Sequence, residues 1–345
     1  LFLSMSLRIL NIGGSYLAPA LKRLGHHIIT AYPAADADIP SPHPYSVRRL
    51  LSRLDALGFA PDALFYCDDG NMPQLLDPEN APWPSVRYSI DTYCNPWHIP
   101  YSNGFDATLV AQKDYVEVFS HEGIPARWFP LFCPQALESV VDFALRDIPV
   151  AFVGTLGHKN NPDRAPFLRA FRARQPLVAI SGDYNPIFTR SRIVLNQTAA
   201  SEVNFRCFEA IACGAALLME TCGNGLNELL VPGEEILPTY QRNDAQAAAA
   251  IAAEALANPE RLAEIARAGG RAVAQRHTDT ARAVSLTQML AEMCAVQAHR
   301  ERLEQSLEKR AALVRGAYGM ISSELFDPQL EGHRDFFEKM CLHQQ

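Results

Sequence analysis

The chain has 345 residues, 48% of them hydrophobic and 20% charged, a balance that excludes extended disorder and leaves room for about two domains. Its 31 basic residues face 38 acidic ones, giving a net charge of −7 that excludes a nucleic-acid backbone as the main partner. Mean hydropathy is −0.07, and charges or prolines interrupt every apolar run before the ~20 residues a membrane helix needs, so no integral membrane contact is expected.

The opening LFLSMSLRIL lacks a basic n-region and a small-residue cleavage site, and Leu7 to Leu10 reads as a first strand rather than a signal peptide. LRILNIGG (7–14) is that strand, SYLAPALKRLG (15–25) a helix, HHIITAYP (26–33) a strand, VRRLLSRLDALG (47–58) a helix and ALFYCDD (63–69) a strand. VRYSIDT (86–92) and ATLVAQ (107–112) follow as strands, DYVEVFSHEG (114–123) as a helix and ARWFPLF (126–132) as a strand-like run. The pattern restarts at PVAFVGTLG (149–157), with a helix at 162–174, strands at 177–183 and 192–198, a helix at 204–213 and the strand AALLME (215–220). A short helix near 224–230, the segment EEILPTY (234–240) and helices at 243–256 and 259–275 complete this second half. Apolar strands alternating with amphipathic helices predict parallel sheets covered on both faces. The chain divides into an N-terminal α/β domain (1–140), a second α/β domain (141–285) and a helical tail (286–345) that packs on the body.

Eight cysteines without a CxxC pair read as reduced core thiols of a cytoplasmic protein. In open parallel sheets ligands bind beyond the carboxyl ends of the strands, so the residues there are the chemical candidates. Gly13 and Gly14 end the first strand and open a helix, as a phosphate-binding turn does and as a plain tight turn also does. Gly154, Thr155 and Gly157 repeat the device, followed by His158, Lys159 and Arg164, whose cations suit a diphosphate and equally suit a solvated loop. Tyr184 follows the strand at 177–183. Asn204, Phe205, Arg206 and Glu209 open the helix that ends at Gly214, and charges embedded beside Phe205, Cys207 and Phe208 need partners.

Acid–base candidates come from the first half. Asp91 follows the strand at 86–90 and His98 lies in the same loop, while Asp68 and Asp69 end the strand before it. Asp91 ranks first as a base for an acceptor hydroxyl, against the alternative that each Asp merely caps a loop. Asp36-Ala-Asp38 spells DxD, but in a Pro-rich loop after only the second strand, so neither a metal ion nor another cofactor is expected.

FVGTLG, SRIVLNQT, NFRCFEAIACGAALLME, LNELLVPGEEILPTY and QRHTDTARAVSL, spread over about 149–290, resemble the C-terminal half of CgeB-like glycosyltransferases. RWFPLFCP resembles the domain-closing strand of that family. The resemblance implies a GT-B-like α/β fold, two Rossmann-like domains with parallel sheets facing across a cleft, and a nucleotide-sugar bound mainly by the second. It implies that Glu209, in Glu209-Ala-Ile-Ala-Cys-Gly214, holds the donor ribose, with Asn204 and Arg206 reaching the diphosphate. The upstream Glu of the usual Glu-x7-Glu pair is unmatched: Ser201 stands in its place, and Glu202 is one residue too close. The activity implied is metal-independent transfer of a sugar to a hydroxyl of a glycan or protein. A nucleotide-sugar epimerase, or a nucleotide-sugar-binding protein without catalysis, uses the same architecture.

Overall fold

The computed structural model describes residues 6–133, 141–157, 161–295, 298–324 and 331–342. The chain forms two compact units. The first holds Leu1–Ala111, Tyr115–Phe129 and Ala283–Gln345, and the second Gln112–Asp114 and Pro130–Arg282.

The first unit opens with β1 (Arg8–Gly13), α1 (Ala18–Arg23), β2 (His27–Tyr32), β3 (Ile39–Pro40), α2 (Val47–Ala56) and β4 (Ala63–Cys67). It continues through β5 (Ser85–Ser89), α3 (His98–Ser102), β6 (Ala107–Val110), α4 (Tyr115–His121) and β7 (Ala126–Trp128). All seven strands pair in parallel in the order β3-β2-β1-β4-β5-β6-β7. The apolar run at 63–67 belongs to a strand flanked on both edges and covered on both faces, so each of its five residues is buried. Helix α2 shows how a surface helix attaches. Val47, Leu50 and Leu54 recur on one face and are buried, and the Ser46 hydroxyl caps the first turn by accepting from the Arg49 N–H. The run at 126–132 pairs only as far as Trp128, because Pro130 brings no N–H to a ladder.

The second unit contains β8 (Ile148–Val153), α5 (Arg164–Arg172), β9 (Val178–Ile180), α6 (Asn185–Phe188), β10 (Ser191–Asn196), α7 (Phe205–Ala212) and β11 (Ala216–Met219). Helices α8 (Leu226–Leu229), α9 (Ala245–Ala257) and α10 (Pro259–Arg276) follow. Its sheet is parallel in the order β11-β10-β8-β9, with a core of Val150, Phe152, Phe167, Phe171, Ile193 and Leu195 under α5 and α9. EEILPTY forms no strand but lies along β11, the Leu237 N–H donating to the Leu217 carbonyl at 2.9 Å, with an isolated bridge between Glu220 and Tyr240. His277 and Arg282 tie this unit together. Arg282 donates to the carbonyls of Pro130, Leu131 and Arg276 and to His277 Nδ1, while His277 Nε2 reaches the Leu229 carbonyl at 2.9 Å.

Helix α11 (Asp279–Ala295) carries the chain back to the first unit, where α12 (Ala298–Glu324) and α13 (Glu331–Leu342) complete it. Val314, Ala317, Tyr318, Ile321 and Phe337 enter the same core as Leu10, Leu64, Tyr66 and Tyr101. No helix of the described residues is long and apolar enough to cross a membrane.

Candidate functional site

In each sheet the chain leaves the first strand in one direction and returns on the other side, creating a crevice at the carboxyl ends. In the first unit this switch lies between β1 and β4. Gly13 has φ of +79°, and a Cβ there would stand 2.2 Å from the Cys67 carbonyl oxygen. Gly14 donates its N–H to that same oxygen at 2.9 Å. The glycine pair therefore closes strand against strand, which gives it a structural task of its own.

Beside this turn the acidic candidates converge. The Asp68 carboxylate is buried and accepts from the backbone N–H groups of Gly70, Ile90 and Asp91, each at 3.0 Å. Burial alone would raise its pKa. The Arg87 guanidinium and those N–H groups outweigh burial and hold it below the usual carboxylate range. Asp91 thus sits in a loop clamped through its own N–H, half-buried at the end of β5. Asp69 accepts from the Asn71 N–H at 3.1 Å and from Gln74 Nε2 at 3.2 Å, and burial raises its pKa. Tyr16 lies close enough for Cys67, Asp69, Asp68 and Asp91 to reinforce the upward shift that burial imposes on its phenol.

His98 is fully enclosed. Burial, then the charge of Arg87, push its pKa down to about 3, so the ring is neutral. Its Nδ1 meets Ser89 Oγ at 2.9 Å, and its Nε2 stands 3.7 Å from Asp68 Oδ2. His98 therefore packs beside Asp68 as a buried neutral ring and presents no nitrogen to solvent. Arg87, equally buried, donates to the His98 carbonyl at 2.9 Å and to Ser102 Oγ at 2.7 Å. Asp38 of the DxD spelling accepts from the N–H and hydroxyl of Thr30, both at 2.8 Å, which folds its own loop. No group of three or more metal-ligating side chains occurs among the described residues.

In the second unit the switch lies between β8 and β10, and an arginine spans it. Arg206, one residue into α7, donates to the Val153 carbonyl at 2.9 Å and to Asn196 Oδ1 at 2.8 Å. Its guanidinium lies 4.5 Å from the centre of the Phe152 ring. Gly154 makes room for it, since a Cβ there would stand 2.2 Å from Arg206 Nη2. Arg164 stacks over the same ring at 5.5 Å and donates to the Thr155 carbonyl and to the Gln197 side chain and carbonyl. Thr155 offers that carbonyl from an exposed loop. Burial, then the like charge of Arg164, push the Arg206 pKa down to about 10, which leaves it cationic at neutral pH. Among the described residues no carboxylate lies within 4.0 Å of Arg206. Two cations thus share one aromatic floor.

The first turn of α7 adds to this. Asn204 is its N-cap but makes no side-chain cap, because its amide is exchanged with that of Asn196. Phe205 packs edge-to-face on Phe132. Glu209, one turn on, is half-buried, and no hydrogen bond reaches its carboxylate among the described residues. Burial, opposed by Arg206, pushes its pKa up to about 7. Tyr184 is a neighbour, its phenol raised by burial and then by the charge of Glu209. Lys159 and His158 lie outside the described residues. Glu202 turns its carboxylate onto the N–H groups of Ala199 and Ala200, at 3.1 and 2.7 Å. Sequence reasoning missed the amides that hold the arginines. Gln197 binds Arg164, Asn161 and Asn243 at once, a role that no spacing in the sequence announces.

Comparison with known proteins follows this division. A search of curated proteins by sequence finds no match. Residues 138–288 match the family model described as "Glycosyl transferase-like". Solved structures with the same fold include sucrose-phosphate synthase from Thermosynechococcus elongatus, at 12% identity, over 84% of this chain and 99% of that one, with a TM-score of 0.60. HepE from Anabaena, solved with UDP and glucose, aligns at 13% identity over 83% of this chain and 100% of its own, with a TM-score of 0.59. An alpha-glucosyltransferase solved with UDP-glucose and DNA containing an abasic site aligns at 10% identity over 83% and 100%, with a TM-score of 0.60. The fold is that of GT-B glycosyltransferase structures, and with the family match it supports a glycosyltransferase.

Proposed function

We propose that this protein is a CgeB-like, metal-independent glycosyltransferase that carries a sugar from a nucleotide-sugar to an acceptor hydroxyl in the cytoplasm. The observation that carries the reading is the Arg206–Arg164 pair on Phe152, with Glu209 one turn away on α7. A diphosphate supplies the negative charge that no described carboxylate brings to Arg206. Ribose hydroxyls supply the donors that the Glu209 carboxylate lacks. The α7 N-terminus adds backbone N–H groups on the same side.

The acceptor is assigned to the first unit, with Asp91 as base. The acceptor oxygen bonds to the anomeric carbon as the carbon–oxygen bond to the diphosphate breaks. Asp91 takes the hydroxyl proton, and the nucleoside diphosphate leaves with its new charge facing Arg206 and Arg164. With a net charge of −7, a glycan or protein hydroxyl suits this chain better than a nucleic acid.

The test is thermal unfolding of EDTA-treated protein with UDP-, GDP-, CMP- and dTDP-sugars, followed by product analysis with the donor that stabilises it. A true donor binds the native state and raises Tm without added metal. No stabilisation by any of them would overturn the reading. Restoration only by Mg²⁺ or Mn²⁺ would overturn its metal independence, and a product formed from donor alone would indicate an epimerase.

A further inference from the structure

Beyond the carboxyl ends of β2, β3 and β4, the first unit carries a cavity of about 720 Å³ that the donor reading does not use. Its walls are the loops after those strands and one side of α13. Loop meets loop through backbone hydrogen bonds: the Tyr45 N–H donates to the Gln74 carbonyl at 2.7 Å and the Leu76 N–H to the Tyr45 carbonyl at 2.8 Å. The helix is anchored by Phe337, which is 1% exposed and packs on Tyr318, whose hydroxyl donates to the Leu76 carbonyl. Its neighbour Phe336 is 36% exposed, standing edge-to-face on Phe337 at 5.3 Å and lining the cavity. The pocket is therefore built before any ligand arrives.

Its lining is specific in kind. Pro33, Pro42, Met72 and Phe336 offer flat or polarizable apolar surface, Asn71 and Gln74 offer amides, and no Lys, Arg, Asp or Glu is among the lining residues described. His43 and His333 complete the polar lining, and a cationic ligand finds no carboxylate among the lining residues described. Apolar ring faces next to amides suit a molecule with an apolar face and a rim of hydroxyls, which is the chemistry of an uncharged pyranose. Gln74 and the Asn71 backbone also hold the two Asp69 oxygens, at 3.2 and 3.1 Å, so the pocket wall leads into the acidic cluster.

We infer that this pocket, with α13 as one wall, is an acceptor subsite for an uncharged sugar stacked on Phe336. The inference rests on the glycosyltransferase reading for the word acceptor, but the pocket's affinity for a pyranose does not depend on it. Methyl glucopyranoside, galactopyranoside, mannopyranoside and N-acetylglucosaminide are titrated into the full-length protein by saturation-transfer NMR, with UDP-glucose affinity measured on the same samples. At least one pyranoside should bind at millimolar concentration, and Phe336→Ala should weaken it about three- to tenfold while UDP-glucose affinity stays unchanged. Asn71→Ala should weaken the same pyranoside, with Tm showing that both variants fold. Pyranoside binding that is absent, or insensitive to Phe336→Ala, overturns the inference, as does a pocket that takes farnesol and no sugar. Phe336-dependent sugar binding without any nucleotide-sugar binding would leave the pocket standing and remove the donor reading instead.

Discussion

The two sheets solve the same topological problem with opposite chemistry. At the switch between β1 and β4 the strand-ending Gly13 faces a backbone carbonyl, and the residues gathered around it are Asp68, Asp69 and Asp91. At the switch between β8 and β10 the strand-ending Gly154 faces a guanidinium, and the residues gathered around it are Arg206 and Arg164. Both glycines hold a positive φ, +79° and +153°, but a Cβ would meet a backbone carbonyl at one and the Arg206 side chain at the other. The first crevice gathers carboxylates and the second gathers guanidinium groups. The contrast also shows why a strand–glycine–helix pattern does not by itself locate a nucleotide.

The sharpest way to break the comparison is to neutralise the acidic side. Asp91→Asn should lower turnover by about 10²- to 10⁴-fold, the range of general-base catalysis, with donor affinity unchanged because the donor residues belong to the other unit. Stopped assays with calorimetry on the same variant check this, and wild-type turnover would remove Asp91 as base.

The glycines come next. Gly13→Ala places a Cβ 2.2 Å from a carbonyl oxygen at a φ of +79°, so it should cost about 3 kcal/mol of stability from overpacking and backbone strain. Denaturant unfolding reads this directly, and an unchanged midpoint would contradict the account. Arg206→Met, by contrast, should cost donor affinity about a hundredfold through lost charge-assisted bonds, with a smaller effect on the fold. Gly154→Ala should cost stability through the φ of +153° and, because its Cβ meets the far end of the Arg206 side chain, also lower donor affinity about tenfold as the guanidinium is displaced. If Gly154→Ala leaves donor affinity unchanged, the distinction between the two crevices fails.

Much of this was legible in the sequence, for identifiable reasons. Strands such as 63–67 and 148–153 are short apolar runs bounded by turn residues, and helix 205–212 ends at a glycine, so periodicity and punctuation place them. Arg206 and Glu209 stood out as candidates because charge next to Phe205, Cys207 and Phe208 is costly without partners. His98 was legible as a residue near the site, but not as a buried one. Its enclosure comes from Trp97, edge-to-face with its ring at 4.3 Å, and from the short helix α3, which has too few residues for a periodicity to show. The amide network of Asn161, Gln197 and Asn243 joins residues 36 and 46 positions apart, and nothing local in the chain marks them as partners. Pro-rich loops after β2, β3 and β4 likewise give no hint that α13, nearly three hundred residues on from β2, shares a cavity with them.

The central claim is that the second unit binds a nucleotide-sugar through Arg206 and an ionised Glu209. It is tested most directly by measuring UDP-glucose affinity against pH for wild type and Glu209→Gln. Burial has raised Glu209 to about 7 in the free protein, so it takes up a proton as pH falls below that value, and the protonated acid accepts ribose hydrogen bonds poorly. Wild-type affinity should therefore level off above pH 7 and fall toward tenfold per pH unit below it, while Glu209→Gln should be weaker by about ten- to a hundredfold at pH 8 and flat with pH. Affinity that is the same at pH 8 and pH 6 in the wild type, or a Gln variant that binds as tightly as wild type at pH 8, would contradict it.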